Sequence, residues 1–95
     1  SIKMFCIVAY DIENDRNRNK IAKILKDYGQ RVQKSVFECN MNEIMVNRML
    51  KRVEKFVNLE TDNFRVYKLL DAQKASVIVL GKGKVIEDDK DVYIV

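Results

Sequence analysis

From Lys3 to Asp11 the chain passes through seven consecutive apolar or aromatic residues, Met4 to Tyr10, before it reaches an aspartate. A run of this length without polar alternation predicts a central strand buried on both faces. Ile21, Ile24, Leu25 and Tyr28 then recur at helical spacing, with Lys20, Lys23 and Lys26 on other faces. Asn14 or Asp15 is placed to cap that helix, and Gly29 stands where a left-handed stop belongs. Residues 30–39 are β-rich (Val32, Val36, Phe37) and read as one bent strand or two short ones. Asn40 with Glu43 resembles a capping box opening a second helix, whose core face is Val46, Met49, Leu50, Val53 and Val57. Beyond a polar connection from Asn58 to Asn63, strands are expected at Phe64–Leu70 and Ser76–Leu80, then a turn at Gly81–Lys84. An acidic stretch leads into a closing "VYIV", which reads as an edge strand seeking a partner. The order predicts an α+β plait with two helices on one face of an antiparallel sheet. Residues 1–95 form a single domain in this reading, with 85–95 a C-terminal strand pairing across a dimer.

Composition narrows the chemistry. With 47% hydrophobic and 34% charged residues the chain has the make-up of an ordinary soluble domain. No apolar run approaches the about 20 residues that span a bilayer, and Ser1-Ile2-Lys3 leads into a strand rather than a signal pattern. Cys6 and Cys39 lie far apart without CxxC spacing, which suits reduced thiols in a cytoplasmic protein. There is no histidine, so no Ser-His or Cys-His nucleophile can be built and a zinc site is disfavoured. A net charge of +4 points to an anionic partner.

Asp11 is the strongest chemical candidate, because it is displayed where a buried strand emerges. In an arbitrary protein such a residue more often caps the turn into the helix. The functional alternative is a Mg²⁺ ligand, since magnesium is commonly held by one or two carboxylates plus water and substrate phosphate. A two-fold axis near Asp11 would supply the second carboxylate. Arg16, Arg18 and Lys20 crowd the start of the first helix and oppose its dipole, which suits either an external phosphate or ion pairs to Asp15, Glu13 or Asp11. Arg31 and Lys34 add charge to the second extended segment. Arg48, Lys51, Arg52 and Lys55 form a basic stripe on the second helix, either a solvated face or a phosphate-tracking surface. Tyr10 and Phe37 are core residues by default. "GKGK" lacks the pattern of a phosphate loop, and no RNP1-type strand is found.

The segment "AYDIENDRNRNKIAKILKDYGQRVQKSVFEC" closely resembles the CRISPR-associated protein two family, the small partner of the CRISPR integrase during spacer acquisition. Tyr10-Asp11, Arg18, Gly29, Arg31-Val32-Gln33 and Ser35-Val36-Phe37 stand at the family's positions. The resemblance implies a ferredoxin-like βαββαβ homodimer with an extra C-terminal strand and the two aspartates facing each other. It implies a Mg²⁺-dependent endonuclease, with Mn²⁺ as a substitute ion, acting on single-stranded RNA or double-stranded DNA. By carry-over Asp11 is the metal ligand, Arg18, Arg31 and Phe37 are supporting active-site positions, and Tyr10 lies beside them. Arg16, Arg18, Lys20, Arg31, Lys34, Arg48, Lys51, Arg52 and Lys55 are the candidate nucleic-acid contacts. Lys20 stands where some members have Arg, and Cys39 where many have Gly. The alternatives are a non-catalytic DNA scaffold bridging integrase dimers and a toxin-like ribonuclease of the same fold.

Overall fold

The computed structural model describes residues 2–69 and 78–82 and the backbone of 93–94. Strand β1 (Met4–Asp11) leads into α1 (Asp15–Leu25), and β2 (Gly29–Gln33) and β3 (Val36–Met41) follow. Helix α2 (Glu43–Val53), a single 3-10 turn (Glu54–Phe56) and β4 (Asn63–Leu69) complete the main layer pair. The sheet order is β2-β3-β1-β4, and every pairing in it is antiparallel. This is the ferredoxin-like arrangement. A separate two-stranded sheet pairs β5 (Ile78–Val79) with β6 (Tyr93–Ile94) in parallel within the chain. Most of the segment 85–95 expected to pair across a dimer lies outside the described residues.

The period-two rule decides what each strand offers to each face. Met4, Cys6, Val8 and Tyr10 of β1 point to the helices and are buried with Phe37, Cys39 and Met41 of β3. Ile21, Ala22 and Leu25 of α1 and Val46, Met49 and Val53 of α2 close the core from above. The other sheet face carries Phe5, Ile7, Ala9 and Asp11, flanked in register by Val36, Glu38 and Asn40 on one side and Asn63, Arg65, Tyr67 and Leu69 on the other. No helix among the described residues is long and apolar enough to cross a membrane.

Local signals account for most boundaries, and four differ from expectation, the first being that α1 ends at Leu25, short of Tyr28. Asn14 caps α1, its side chain accepting from the Asn17 amide at 2.9 Å. The cap of α2 is Asn42, which accepts from the Met45 amide at 2.8 Å, rather than Asn40. Strand β3 continues through Asn40 because Met41 is needed in the core opposite Met4. Helix α2 gives way to the 3-10 turn before Val57, which lies outside the helix. Gly29 is not a helix stop but the first residue of β2. A Cβ there would lie 2.1 Å from the Glu38 carbonyl oxygen and 2.7 Å from the Cys39 Cα, so only glycine lets β2 approach β3 this closely.

Candidate functional site

Asp11 ends β1, one of the two inner strands, on the sheet face that carries no helix. Its carboxylate is exposed and has no hydrogen bond or ion pair among the described residues. The same end of the sheet gathers the β1–α1 loop, the β2–β3 turn at Lys34–Ser35 and the start of β4. Tyr10 donates its amide to the Ser35 carbonyl at 3.1 Å, which draws the turn and the exposed Lys34 to Asp11's end. On the other flank Asp11 is in register with Asn63, and Ala9 with Arg65.

Arg18 reaches this end, but its guanidinium is already engaged. One nitrogen donates to the Ile12 carbonyl at 2.8 Å, and another is hydrogen-bonded to the Asp15 carboxylate. Arg18 therefore braces the residue that follows Asp11. Opposite it, the Asp62 carboxylate accepts from the Glu13 amide at 2.9 Å.

Tyr10 and Phe37 do not share Asp11's surroundings. Tyr10 is 6% exposed and Phe37 fully buried, both on the helix side of the sheet. Adjacent strand residues point to opposite faces, so Tyr10 turns inward while Asp11 turns outward. The Tyr10 ring lies between Phe37 and Phe64, with centroids 6.4 Å and 6.2 Å away. Packing is what the structure assigns to this pair. Arg31 is in register with Phe37, on the helix side of edge strand β2, and its guanidinium lies 5.5 Å from the Phe37 ring centroid.

The basic stripe of α2 divides. Arg52 is held by the Tyr28 hydroxyl at 3.3 Å and by Asp27 at 2.9 Å, contacts that strengthen its hold on the proton. Lys55 and Lys20 lie over Phe56, with Nζ 5.9 Å and 5.7 Å from the ring centroid. Arg48 and Lys51, like Arg16 and Lys34, are exposed and make no ion pair among the described residues. Of the nine candidate contacts, these four are left without a side-chain partner among the described residues and can meet an external anion.

Three residues at Asp11's end escape the sequence reading. Asp62, Asn63 and Arg65 belong to the approach to β4 and its first turns of alternation. The Arg65 Nε donates to Asn63 Oδ1 at 2.7 Å, and another guanidinium nitrogen donates to the Tyr67 hydroxyl at 3.2 Å. The signal was present as polar residues at 63, 65 and 67 alternating with Phe64 and Val66, which marks an outward row.

A family model described as CRISPR associated protein Cas2 matches residues 4–77. The chain belongs to that family. It is 36% identical over 93 residues to a CRISPR-associated endoribonuclease Cas2 of Chloroflexus aurantiacus, covering 97% of this chain and all of that protein. Among solved structures it is similar to a hypothetical protein from Thermus thermophilus, with 40% identity, a TM-score of 0.76, and coverage of 90% of this chain and 99% of that one. It also resembles a chain of a partial Cas6-RT-Cas1–Cas2 complex, with 31% identity, a TM-score of 0.60, and coverage of 78% and 84%. The fold and strand order described above agree with membership in the Cas2 family.

Proposed function

We propose that this protein is the Cas2 component of CRISPR adaptation, a metal-dependent endonuclease that partners the Cas1 integrase and cleaves single-stranded RNA. The observation that carries this reading is the Asp11 carboxylate, exposed and unpaired among the described residues at the end of an inner strand. The relatives named as endoribonuclease and as part of a Cas1–Cas2 complex support it.

Mg²⁺ suits this donor. It prefers oxygen ligands and needs only one or two carboxylates from protein, with water and substrate phosphate completing its shell. Asp11 would be its protein ligand in each copy, since its carboxylate is exposed and unpaired among the described residues. When bound, the ion would polarise the scissile phosphate. Asp11 orients the site, while Lys34 and Arg65 stand at the same end to meet phosphate charge. Arg18 is engaged by Ile12 and Asp15, so its part is to hold the loop.

The open sheet face would join two copies. Ile7, Ala9, Val36 and Leu69 are half-buried apolar residues there, and Tyr67 is 48% exposed. Apposing two such faces about a two-fold axis brings both Asp11 carboxylates into one interface.

Asp11→Ala, purified in parallel with the unaltered protein, tests the assignment. Metal charge stabilisation is worth several kcal/mol, so cleavage of labelled single-stranded RNA with Mg²⁺ should fall about 100-fold or more. Its melting temperature should be preserved. Equal cleavage by both proteins would refute the assignment.

A second reading, a DNA scaffold for the integrase, is favoured by the exposed and unpaired Arg16, Lys34, Arg48 and Lys51. It is distinguished in the same experiment by strongly salt-dependent binding of duplex DNA that Asp11→Ala leaves intact, with no cleavage by either protein.

A further inference from the structure

We infer that Asp62 is a positioning residue for the Asp11 site, clamping the loop that follows Asp11 onto the approach to β4. The inference rests on the proposed role of Asp11. The two oxygens of the Asp62 carboxylate serve different loops. Oδ1 accepts from the Glu13 amide at 2.9 Å, and Oδ2 accepts from the Asn58 amide at 2.8 Å. Thr61 adds its hydroxyl to Oδ1 at 3.3 Å, and the Asp62 amide returns a bond to the Asn58 carbonyl at 2.8 Å. One side chain thus ties together segments 49 residues apart in sequence.

The clamp does not act alone. Glu13 lies two residues beyond Asp11, and Ile12 between them has its carbonyl held by Arg18 at 2.8 Å. The Arg18 guanidinium fixes the loop's first carbonyl and the Asp62 carboxylate fixes its next amide. Asn63, adjacent to Asp62, is the register partner of Asp11 itself. A carboxylate on an exposed strand end has no pocket to hold it, so the backbone that follows it must help set its place. The Ile12 carbonyl and the Glu13 amide are the two ends of one peptide unit, and the opposed charges of Arg18 and Asp62 hold that unit at both ends. The Glu13 and Asn58 amides hold the Asp62 carboxyl below the usual carboxylate range, as expected for hydrogen bonds made to the charged form. The clamp is therefore assembled with Asp62 ionised near neutrality.

Reactions that depend on placement respond steeply to small displacements, and a shift of about 1 Å can cost about 100-fold in rate. Asp62→Asn has the same shape but one acceptor oxygen, and its NH₂ group is set against the second amide. Two readouts are needed, cleavage kinetics on single-stranded RNA with Mg²⁺ and amide exchange of Glu13 and Asn58 by NMR without metal. For Asp62→Asn we expect kcat to fall about 10- to 100-fold at nearly constant KM. The Glu13 amide should exchange at least about tenfold faster, because its clamp has opened. Asp62→Glu keeps both acceptors and the charge, and should recover part of both losses. This variant also carries the test if Asp62→Asn does not fold.

Unchanged kcat together with unchanged Glu13 protection in Asp62→Asn would overturn the inference. So would an Asp62→Glu protein no better than Asp62→Asn. Asp11→Asn is run beside them. If it is inactive while Asp62→Asn cleaves normally, the clamp alone is wrong. If Asp11→Asn cleaves normally, the proposed site and the clamp fall together.

Discussion

Replacing Tyr10 with phenylalanine separates two roles for the residue that precedes Asp11. Its hydroxyl oxygen is buried without a hydrogen-bond partner among the described residues. A buried polar group without a partner costs about 1–3 kcal/mol, and Tyr10→Phe removes that group while leaving the ring in place. The stack against Phe37 and Phe64 at 6.4 Å and 6.2 Å is retained. Taking the low end, a gain of about 1 kcal/mol raises the melting temperature of a domain this size by about 4–8 °C. RNA cleavage should be unchanged, because the hydroxyl points into the helix side of the sheet and Asp11 into the other. The assay pairs thermal unfolding with cleavage under the same buffer and Mg²⁺. A lower melting temperature would show that the hydroxyl is bonded in the folded protein. Lost cleavage at an unchanged or higher melting temperature would show that it takes part in the reaction, against the face assignment made here. Tyr10→Ala, by contrast, removes the ring and should cost roughly 3–5 kcal/mol.

Gly29→Ala places a Cβ against backbone atoms of Glu38 and Cys39, which cannot swing aside, and should cost about 3 kcal/mol or more. Its melting temperature should drop by roughly 12 °C or more, and a change of only a degree or two would show that β2 shifts freely. Burial, then the charges of Cys6 and Glu38, push the Cys39 thiol from 9.0 up to about 12. The folded value exceeds the ordinary one, so this stabilisation is complete below pH 9.0 and lost as pH climbs toward about 12. Urea midpoints of the unaltered protein should decline over that range more steeply than those of Cys39→Val, and parallel slopes would clear the thiol.

What the sequence disclosed follows from the range of the forces involved. The β1 run, the helical stripes as far as Leu25 and Val53, and the Asn14 cap are local patterns, and each appears in the fold. Asn42 displaced Asn40 as the cap because the depth of β3 is set by its pairing with β1, which no local window contains. Gly29 was open to misreading for the same reason: its necessity lies across the sheet, at Glu38 and Cys39. The site shows the division most clearly. Asp11 is visible as the first polar residue after an apolar run. Arg18 is visible as charge, with a pair to Asp15 as one open reading, but its bond to the Ile12 carbonyl is not. The family resemblance placed Tyr10 beside Asp11, and the pleat set them on opposite faces. Asp62 offers no motif, because its two partners belong to different loops.

The inner place of β1 also dictates when the site comes into being. This strand precedes the other described strands in sequence, yet it is completed by β3 on one edge and by β4 on the other. Its last neighbour arrives only after residue 63 has been synthesised, so Asp11 waits for two helices and two further strands before its surroundings exist. Pairings at such separation close late and slow folding, because the loop entropy must be met before the contacts form. A nascent or cleaved fragment ending ahead of β4 would carry Asp11 and Arg18 but neither Asn63 nor Asp62. Such a fragment holds the chemical group without the frame that aims it, so this chain acquires its site only as its last inner pairing closes.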